Sequence, residues 1–236
     1  MYNSDNKRVT WNFSDRTVKV WDLETGIESS SFSGHPNNVV AVKYSTVHQL
    51  LFSVSAAYVK VWDLRSGNNC IKTLFSSGQT QAGPIALSTP SRMLQVPVGE
   101  TTINDLALSL NEQELYTAAS DKVRIWDLRK LTYTTRLSTP HTAAVMCLAV
   151  AEDGKVIAGS KDHLISLAEP NISGPSVSLA PPHYDGVQCL TTIGSTLFSG
   201  ALFVAHYWVI YKHVINNLLS LIDLQALEIC ALNDGI

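Results

Sequence analysis

The 236-residue sequence predicts an all-β chain built from a repeated antiparallel unit. The stretches TVKVWDLETG, YVKVWDLRSG and KVRIWDLRKL nearly repeat one another and place tryptophans at Trp21, Trp62 and Trp126. Apolar and polar residues alternate with period two in each stretch, as in strands whose two faces have different surroundings. Turn motifs such as DLETG and DLRSG separate the strands, which indicates antiparallel meanders and not strand–helix–strand units.

The spacing of these stretches predicts a WD-repeat β-propeller. The first interval is 62 − 21 = 41 residues, within the roughly 40–45 residues of a WD-type unit. The second is 126 − 62 = 64 and fits if about twenty residues are inserted. One such sheet cannot bury its apolar faces alone, so neighbouring sheets must stack. We predict an incomplete propeller of about four blades over residues 1–200, without a long helix in residues 9–200, and a divergent apolar tail over 201–236.

The strands of each unit follow in order. The first unit begins at about Val9 and therefore lacks an opening strand. Later first strands are predicted to begin at Val39, Ile103, Val145 and Val187. The second strands are predicted in LLFSVS, ELYTAAS, KVIAGS and TLFSG. The fourth unit keeps Asp162 but has Ala168 and Glu169 where Trp and Asp are expected.

The repeats also supply candidate polar residues. In WD repeats a histidine, a strand hydroxyl, a turn aspartate and the tryptophan form a buried hydrogen-bonded set, because unpaired buried polar atoms are costly. We assign structural repeat roles to Asp15, Trp21, Asp22, Gly34, His35, Trp62, Asp63, Asp121, Trp126, Asp127, His141, Asp162 and His183. The alternative, a Ser-His-Asp hydrolase, lacks a G-x-S-x-G elbow. We therefore predict no catalytic residue and no enzyme activity.

Composition narrows the possible partners. The formal net charge of −3 gives no reason to expect nucleic acid or an anionic membrane as a partner. None of the four cysteines lies in a C-x-x-C pair, so no metal site or cofactor is predicted. The polar N-terminus lacks a signal peptide, which favours the cytoplasm. Residues 201–222 are apolar, but His206, Lys212 and His213 argue against a membrane span.

Several sequence runs, taken together, resemble those of one protein family. The runs GHPNNVVAVKY, GETTINDLALS, HTAAVMCLAV and PPHYDGVQCL, with a Ser/Thr-rich insertion, appear in order. Over about residues 14–200 they resemble the C-terminal WD-repeat domain of kinesin-4 family motors. The resemblance implies a cytoskeleton-associated tail that engages cargo, regulatory proteins or the microtubule itself. It implies no motor activity, because the chain has no G-x-x-x-x-G-K-[ST] loop. The alternative is a WD-repeat adaptor of another complex, such as a ubiquitin-ligase substrate receptor.

Three further expectations concern particular positions. Cys147 and Cys189 are 42 residues apart in equivalent strands and are expected to pack in the core. Lys19, Lys60 and Arg124 each precede a tryptophan by two residues. They are expected to pack their stems while their charged heads reach solvent, and the alternative is a basic binding stripe. Residues 76–100 are predicted to form an elaborated loop, either functional or mobile.

Overall fold

The computed structural model describes residues 7–12, 16–65, 67, 69–84, 96–170, 172, 174–201, 204–209 and 227–229, with the backbone alone for 7–12, 204–209 and 227–229. These residues form twenty strands in five sheets and no helix. The prediction of an all-β, incomplete WD-repeat propeller is confirmed; it counted about four blades, and the described residues form five sheets.

Strand order follows chain order in each sheet. The first sheet has β1 (Lys7–Asn12), β2 (Thr17–Asp22) and β3 (Glu28–Phe32). The second has β4 (Val39–Ser45), β5 (Leu50–Ser55), β6 (Tyr58–Asp63), β7 (Cys70–Phe75) and β8 (Thr80–Ala82). The third has β9 (Ile103–Leu108), β10 (Glu114–Ala119), β11 (Lys122–Asp127) and β12 (Thr132–Leu137). The fourth has β13 (Val145–Val150), β14 (Val156–Ser160), β15 (Ile165–Ala168) and β16 (Val177–Ser178). The fifth has β17 (Val187–Ile193), β18 (Thr196–Ala201), β19 (Val204–Val209) and β20 (Leu227–Ile229).

The chain divides into two compact units, residues 1–120 with 124–136, and residues 121–123 with 137–236. In the first unit, β5 is buried on both faces. Leu50 and Phe52 pack in one apolar cluster with Leu106 and Leu115 of the third sheet. Leu51 packs in another cluster with residues of the first sheet. Because side chains alternate between the two faces of a strand, β5 contributes to one apolar cluster shared with the third sheet and to another shared with the first sheet.

The second unit has a core of the same kind. Cys147, Ile157 and Leu167 of the fourth sheet pack against Val187 and Leu197 of the fifth. All four predicted first strands begin at the expected residues, and all four second strands form where the sequence indicated. Local alternation and turn chemistry therefore determine these boundaries.

The fifth sheet continues beyond residue 200. Trp208 in β19 pairs with Leu197, in the same register that pairs Trp62 with Leu51. Trp208 therefore occupies the tryptophan position of its repeat. The domain boundary at residue 200 remains a prediction.

Part of the insertion also differs from the expected loop. Residues 80–82 form β8, a fifth strand on the second sheet. Glu100 Oε2 accepts from the Ser76 hydroxyl over 2.5 Å and from the Ser77 amide over 2.8 Å, which joins the two ends of the insertion. Residues 85–95 and most of the tail lie outside the described residues. No helix in the part of the chain that is described is long and apolar enough to cross a membrane.

Candidate functional site

The second sheet contains a series of buried hydrogen bonds. The indole Nε1 of Trp62 donates to Ser53 Oγ over 2.8 Å. Ser53 Oγ lies 2.8 Å from His35 Nε2, and His35 Nδ1 lies 2.9 Å from the Arg16 carbonyl oxygen. Because a carbonyl oxygen only accepts, Nδ1 holds a proton, and in the neutral imidazole Nε2 then accepts from the Ser53 hydroxyl. His35 is 3% exposed and Ser53 is 0% exposed, so the set pairs polar groups inside the packed sheets.

The neutral state of His35 has an electrostatic cause. Burial, and to a smaller extent the ammonium of Lys60, lower the pKa of His35 to about 4, although the bond to Arg16 acts in the opposite direction. The imidazole is therefore a fixed link between Ser53 and Arg16 at neutral pH.

Lys60 is placed differently from the sequence expectation. It is 2% exposed, its Nζ donates to the Gly34 carbonyl oxygen over 2.5 Å, and it lies 5.7 Å from the centroid of the Trp62 ring. The expectation that its head reaches solvent is wrong, because packed sheets cover the strand and the Gly34 carbonyl holds the ammonium. Burial lowers the pKa of Lys60. Among the described residues, no carboxylate forms an ion pair with it.

In the first sheet the repeat tryptophan is less buried than in the second sheet. Trp21 in β2 is half-buried, and Lys19 Nζ lies 2.6 Å from Glu28 Oε2. Asp22 Oδ1 accepts the amides of the turn that follows, from Glu24 at 2.9 Å and Thr25 at 3.0 Å. Asp15 lies outside the described residues.

The third sheet keeps the tryptophan and the hydroxyl. Trp126 Nε1 donates to Thr117 Oγ1 over 3.0 Å, and both residues are fully buried. Gly99 stands four residues before Ile103, where the other repeats have histidine. The side chain of Asp121 is 42% exposed and lies 3.9 Å from Lys122 Nζ. This repeat therefore retains the tryptophan and the hydroxyl of the buried set, but it has no histidine and its aspartate side chain is not buried.

In the fourth sheet a serine, a histidine and an aspartate are hydrogen-bonded in the same order as in a Ser-His-Asp hydrolase. Ser166 Oγ lies 2.8 Å from His141 Nε2, and Asp162 Oδ2 lies 3.1 Å from His141 Nδ1. Burial by itself would raise the pKa of Asp162, but bonds from the Thr142 and Leu164 amides and from His141 lower it below its usual value. Ser166 is 1% exposed, so its hydroxyl cannot reach a substrate. The arrangement pairs buried groups and does not suit nucleophilic attack.

The hydroxyl of this set lies on an unexpected strand. Ser166 is on β15 opposite Ala158, whereas Ser53 is on β5 opposite Lys60. The fourth repeat therefore supplies the hydroxyl from the neighbouring strand. Sequence reasoning missed Ser166 because it looked for a hydroxyl on the second strand, where this repeat has alanine.

The fifth sheet repeats the histidine–hydroxyl contact. His183 Nε2 lies 2.7 Å from Ser199 Oγ, and both residues are 3% exposed. Histidine and serine thus meet in three of the five sheets.

The W-D aspartates cap turns. Asp63 Oδ1 accepts the Arg65 amide over 2.9 Å, and Asp127 Oδ1 accepts the amides of Arg129 and Lys130 at 2.8 and 3.1 Å. The Arg65 side chain lowers the pKa of Asp63. These carboxylates stabilise tight turns by an ordinary Asx contact.

The two repeat cysteines have different surroundings. Cys147 and Cys189 share one register, opposite Gly159 and Gly200 respectively. Cys147 is buried beneath Val187, whereas Cys189 is exposed. The expectation of core packing is confirmed for Cys147 and wrong for Cys189, because no described strand covers that face of the fifth sheet.

Sequence reasoning also missed Glu112. Its carboxylate accepts from the Ser45 hydroxyl at 2.7 Å, the Thr46 hydroxyl at 3.0 Å and the Val47 amide at 2.9 Å. Glu112 has a φ of +52°, a strained conformation for a residue that has a side chain. No local signal in the sequence identifies a contact between residues so far apart.

Comparison with known proteins agrees with this geometry. The family "WD domain, G-beta repeat" matches residues 26–63 and 132–167. Kinesin-like protein KIF21A of Homo sapiens is 44% identical over 196 residues, which cover 79% of this chain and 12% of the relative. Kinesin-like protein KIF21B of Mus musculus is 42% identical with the same coverage. Kinesin-like protein klp-12 of Caenorhabditis elegans is 31% identical over 202 residues, again 79% of this chain and 12% of the relative. The chain thus spans about one eighth of the length of these curated relatives.

Proposed function

We propose that this chain, a WD-repeat segment of the kinesin-4-like kind, acts as a protein-interaction scaffold that engages a motor's cargo, its regulatory proteins or the microtubule. Its place in the cell would then be the cytoplasm, at the cytoskeleton. The proposal rests on the identity of 44% to a kinesin-like protein over 79% of the chain.

The buried polar sets support a binding role over a catalytic one. The histidines and hydroxyls that could resemble catalytic groups, such as His35 with Ser53 and His141 with Ser166, bond to each other inside the sheets. Their burial leaves the turns, the loops and the sheet edges as the surface that meets other molecules. We propose that the thirteen repeat residues assigned from the sequence have structural roles.

Co-sedimentation of the purified chain with assembled microtubules tests the proposal. We expect saturable pelleting that falls as salt rises, as charged surface contacts require. A chain that stays in the supernatant at every salt concentration, and that instead binds a purified cullin–RING adaptor, would favour the alternative of a ubiquitin-ligase receptor.

A further inference from the structure

Two equivalent turns in the first unit each contain an arginine, but the two arginines have different hydrogen-bond partners. After β6, Arg65 Nε and Nη2 each donate to the Asp63 carboxylate at 2.9 Å. After β11, Arg129 Nε donates to Gln113 Oε1 at 2.7 Å. Both turns have the sequence W-D-L-R and both lie beside a glutamine, but Gln49 Oε1 accepts from the Tyr44 hydroxyl at 2.6 Å, whereas Gln113 Oε1 accepts from the arginine. Arg129 therefore forms no ion pair among the described residues, although the pKa of Asp127 is lowered by the backbone bonds from Lys130 and Arg129 and by the charges of both side chains.

Two lysines lie beside this arginine. Lys72 Nζ on β7 donates to the Lys130 carbonyl oxygen over 3.2 Å, which brings Lys72 next to the turn after β11. The turn carboxylate, Asp127, already accepts two backbone amides through Oδ1. We name Lys72, Arg129 and Lys130 the basic turn. Four cations elsewhere in the described chain do have carboxylate partners, namely Lys19, Arg65, Lys122 and Lys155.

The basic turn leads directly into an exposed edge strand. β12 is the outermost strand of the third sheet, and residues 132–136 are all exposed. No described strand pairs with its outer side. Tyr133 anchors the strand, since its ring packs edge-on against Trp126 at 5.9 Å and a Cβ on Gly78 would lie 3.4 Å from it. Arg136 adds a fourth cation near the far end.

An anchored edge strand offers unpaired N–H and C=O groups to an extended peptide. The basic turn sets three cations against the single carboxylate of Asp127, and this net positive charge beside the edge favours carboxylates on the incoming strand and disfavours a basic one. We infer that an acidic, extended segment of a partner protein binds along β12, adding a strand to the third sheet while its carboxylates meet the basic turn. This inference deepens the proposed scaffold function and rests on it.

The test uses a fluorescein-labelled decapeptide of alternating Glu and Val, titrated with the 236-residue chain and followed by anisotropy. We expect saturable binding that weakens with salt, and no binding of the same peptide with Lys in place of Glu. The triple variant K72Q/R129Q/K130Q should weaken binding about tenfold or more. The matched control K19Q/K155Q removes two cations that already have carboxylate partners, and should change binding by less than about twofold.

A second pair of peptides tests strand addition itself. N-methylation of alternate amides preserves every charge but blocks hydrogen bonding along one edge of the peptide. One set of alternate positions should abolish binding and the other should leave it intact. Equal binding of both methylated peptides would contradict strand addition. An unchanged affinity of the triple variant would contradict the role of the basic turn in binding.

The two experiments distinguish a failure of the scaffold proposal from a failure of the inference about β12. If the chain pellets with microtubules but does not bind the decapeptide, the scaffold function is supported and the peptide site on β12 is rejected. Thermal unfolding of the triple variant, monitored by tryptophan fluorescence, confirms that it is folded. Arg129 and Lys130 are exposed and Lys72 is half-buried, so a normal transition is expected.

Discussion

Ser53 is the hydroxyl on which the buried polar groups of the second sheet converge. It accepts from Trp62 and donates to His35, both over 2.8 Å. Ser53→Ala leaves Trp62 Nε1 and His35 Nε2 buried and unpaired, at about 1–3 kcal/mol each, while His35 Nδ1 keeps its bond to Arg16. We expect the free energy of unfolding in urea to fall by about 2–4 kcal/mol. The control Thr132→Ala, on exposed β12, should change it by less than about 0.5 kcal/mol. A similarly small change for Ser53→Ala would show that the set does not stabilise the sheet.

Lys60 and His35 are coupled through charge. The pKa of His35 is about 4, below its ordinary value of 6.5, so its neutral form contributes stability that is complete above pH 6.5 and is lost as pH falls toward 4. Lys60→Met removes the positive charge that helps to lower this pKa. We expect the pKa of His35 to rise in an NMR titration and the acid loss of stability to shrink.

The same variant tests the cost of the buried ammonium. Because an apolar side chain of similar length removes that cost, stability at neutral pH should be unchanged or about 1 kcal/mol higher. Lys60→Ala, which opens a cavity, should lower it by about 2 kcal/mol or more. A drop in the pKa of His35 in Lys60→Met would contradict this account.

At the scale of elements, Glu112 ties the β9–β10 turn to the β4–β5 turn. Burial by itself would raise the pKa of Glu112, but the bonds from Val47, Ser45 and Thr46 together lower it below its usual value. Glu112 therefore stabilises the fold above its usual pKa, and this contribution is lost as pH falls through the lowered value.

We expect Glu112→Ala to cost about 1–3 kcal/mol at pH 7 in chemical denaturation, and less at acidic pH. The control Glu152→Ala changes an exposed carboxylate in the corresponding turn of the fourth sheet, between β13 and β14. It should have little effect at either pH. An equal cost for Glu112→Ala at both pH values would show that the carboxylate charge is not what joins the turns.

The contact between the fourth and fifth sheets depends on a glycine. A Cβ on Gly159 would lie 2.7 Å from Val187 Cγ1 and 2.8 Å from Cys147 Sγ. A Cβ on Gly200 would meet Cys189 Sγ alone, at 2.6 Å. Because Cys189 is exposed and can turn aside, Gly159→Ala should destabilise by about 1–3 kcal/mol and Gly200→Ala by much less. Thermal denaturation compares the two, and equal costs would contradict the packing described.

At the scale of the whole molecule, two equivalent faces differ in exposure. Cys147 on the fourth sheet is buried by the fifth sheet, and Cys189 on the fifth sheet is exposed. Under native conditions, mass spectrometry after iodoacetamide treatment should find Cys189 alkylated at least about tenfold faster than Cys147. Equal rates in denaturant serve as the control. Slow labelling of Cys189 in the native chain would mean that another strand or a second copy covers that face.

Much of the architecture is predictable from local patterns. The first strands begin at Val39, Ile103, Val145 and Val187 as the alternation indicates, because strand period and turn chemistry act over a few residues. The histidines His35, His141 and His183 also lie where repeat spacing places them, each bonded to a serine. Spacing predicts these positions because each repeat adopts the same local structure.

Other features depend on residues far apart in the chain, and only the tertiary structure reveals them. Lys60 is buried because Gly34 and the neighbouring sheet cover it, and Ser166 replaces the missing hydroxyl because β15 lies beside Ala158. Glu112 reaches Ser45 across 67 residues of sequence. Equivalent strands carry Cys147 and Cys189, yet one is buried and the other exposed. A repeat specifies its own strands and turns, whereas burial and charge pairing depend on what the neighbouring sheets place against it.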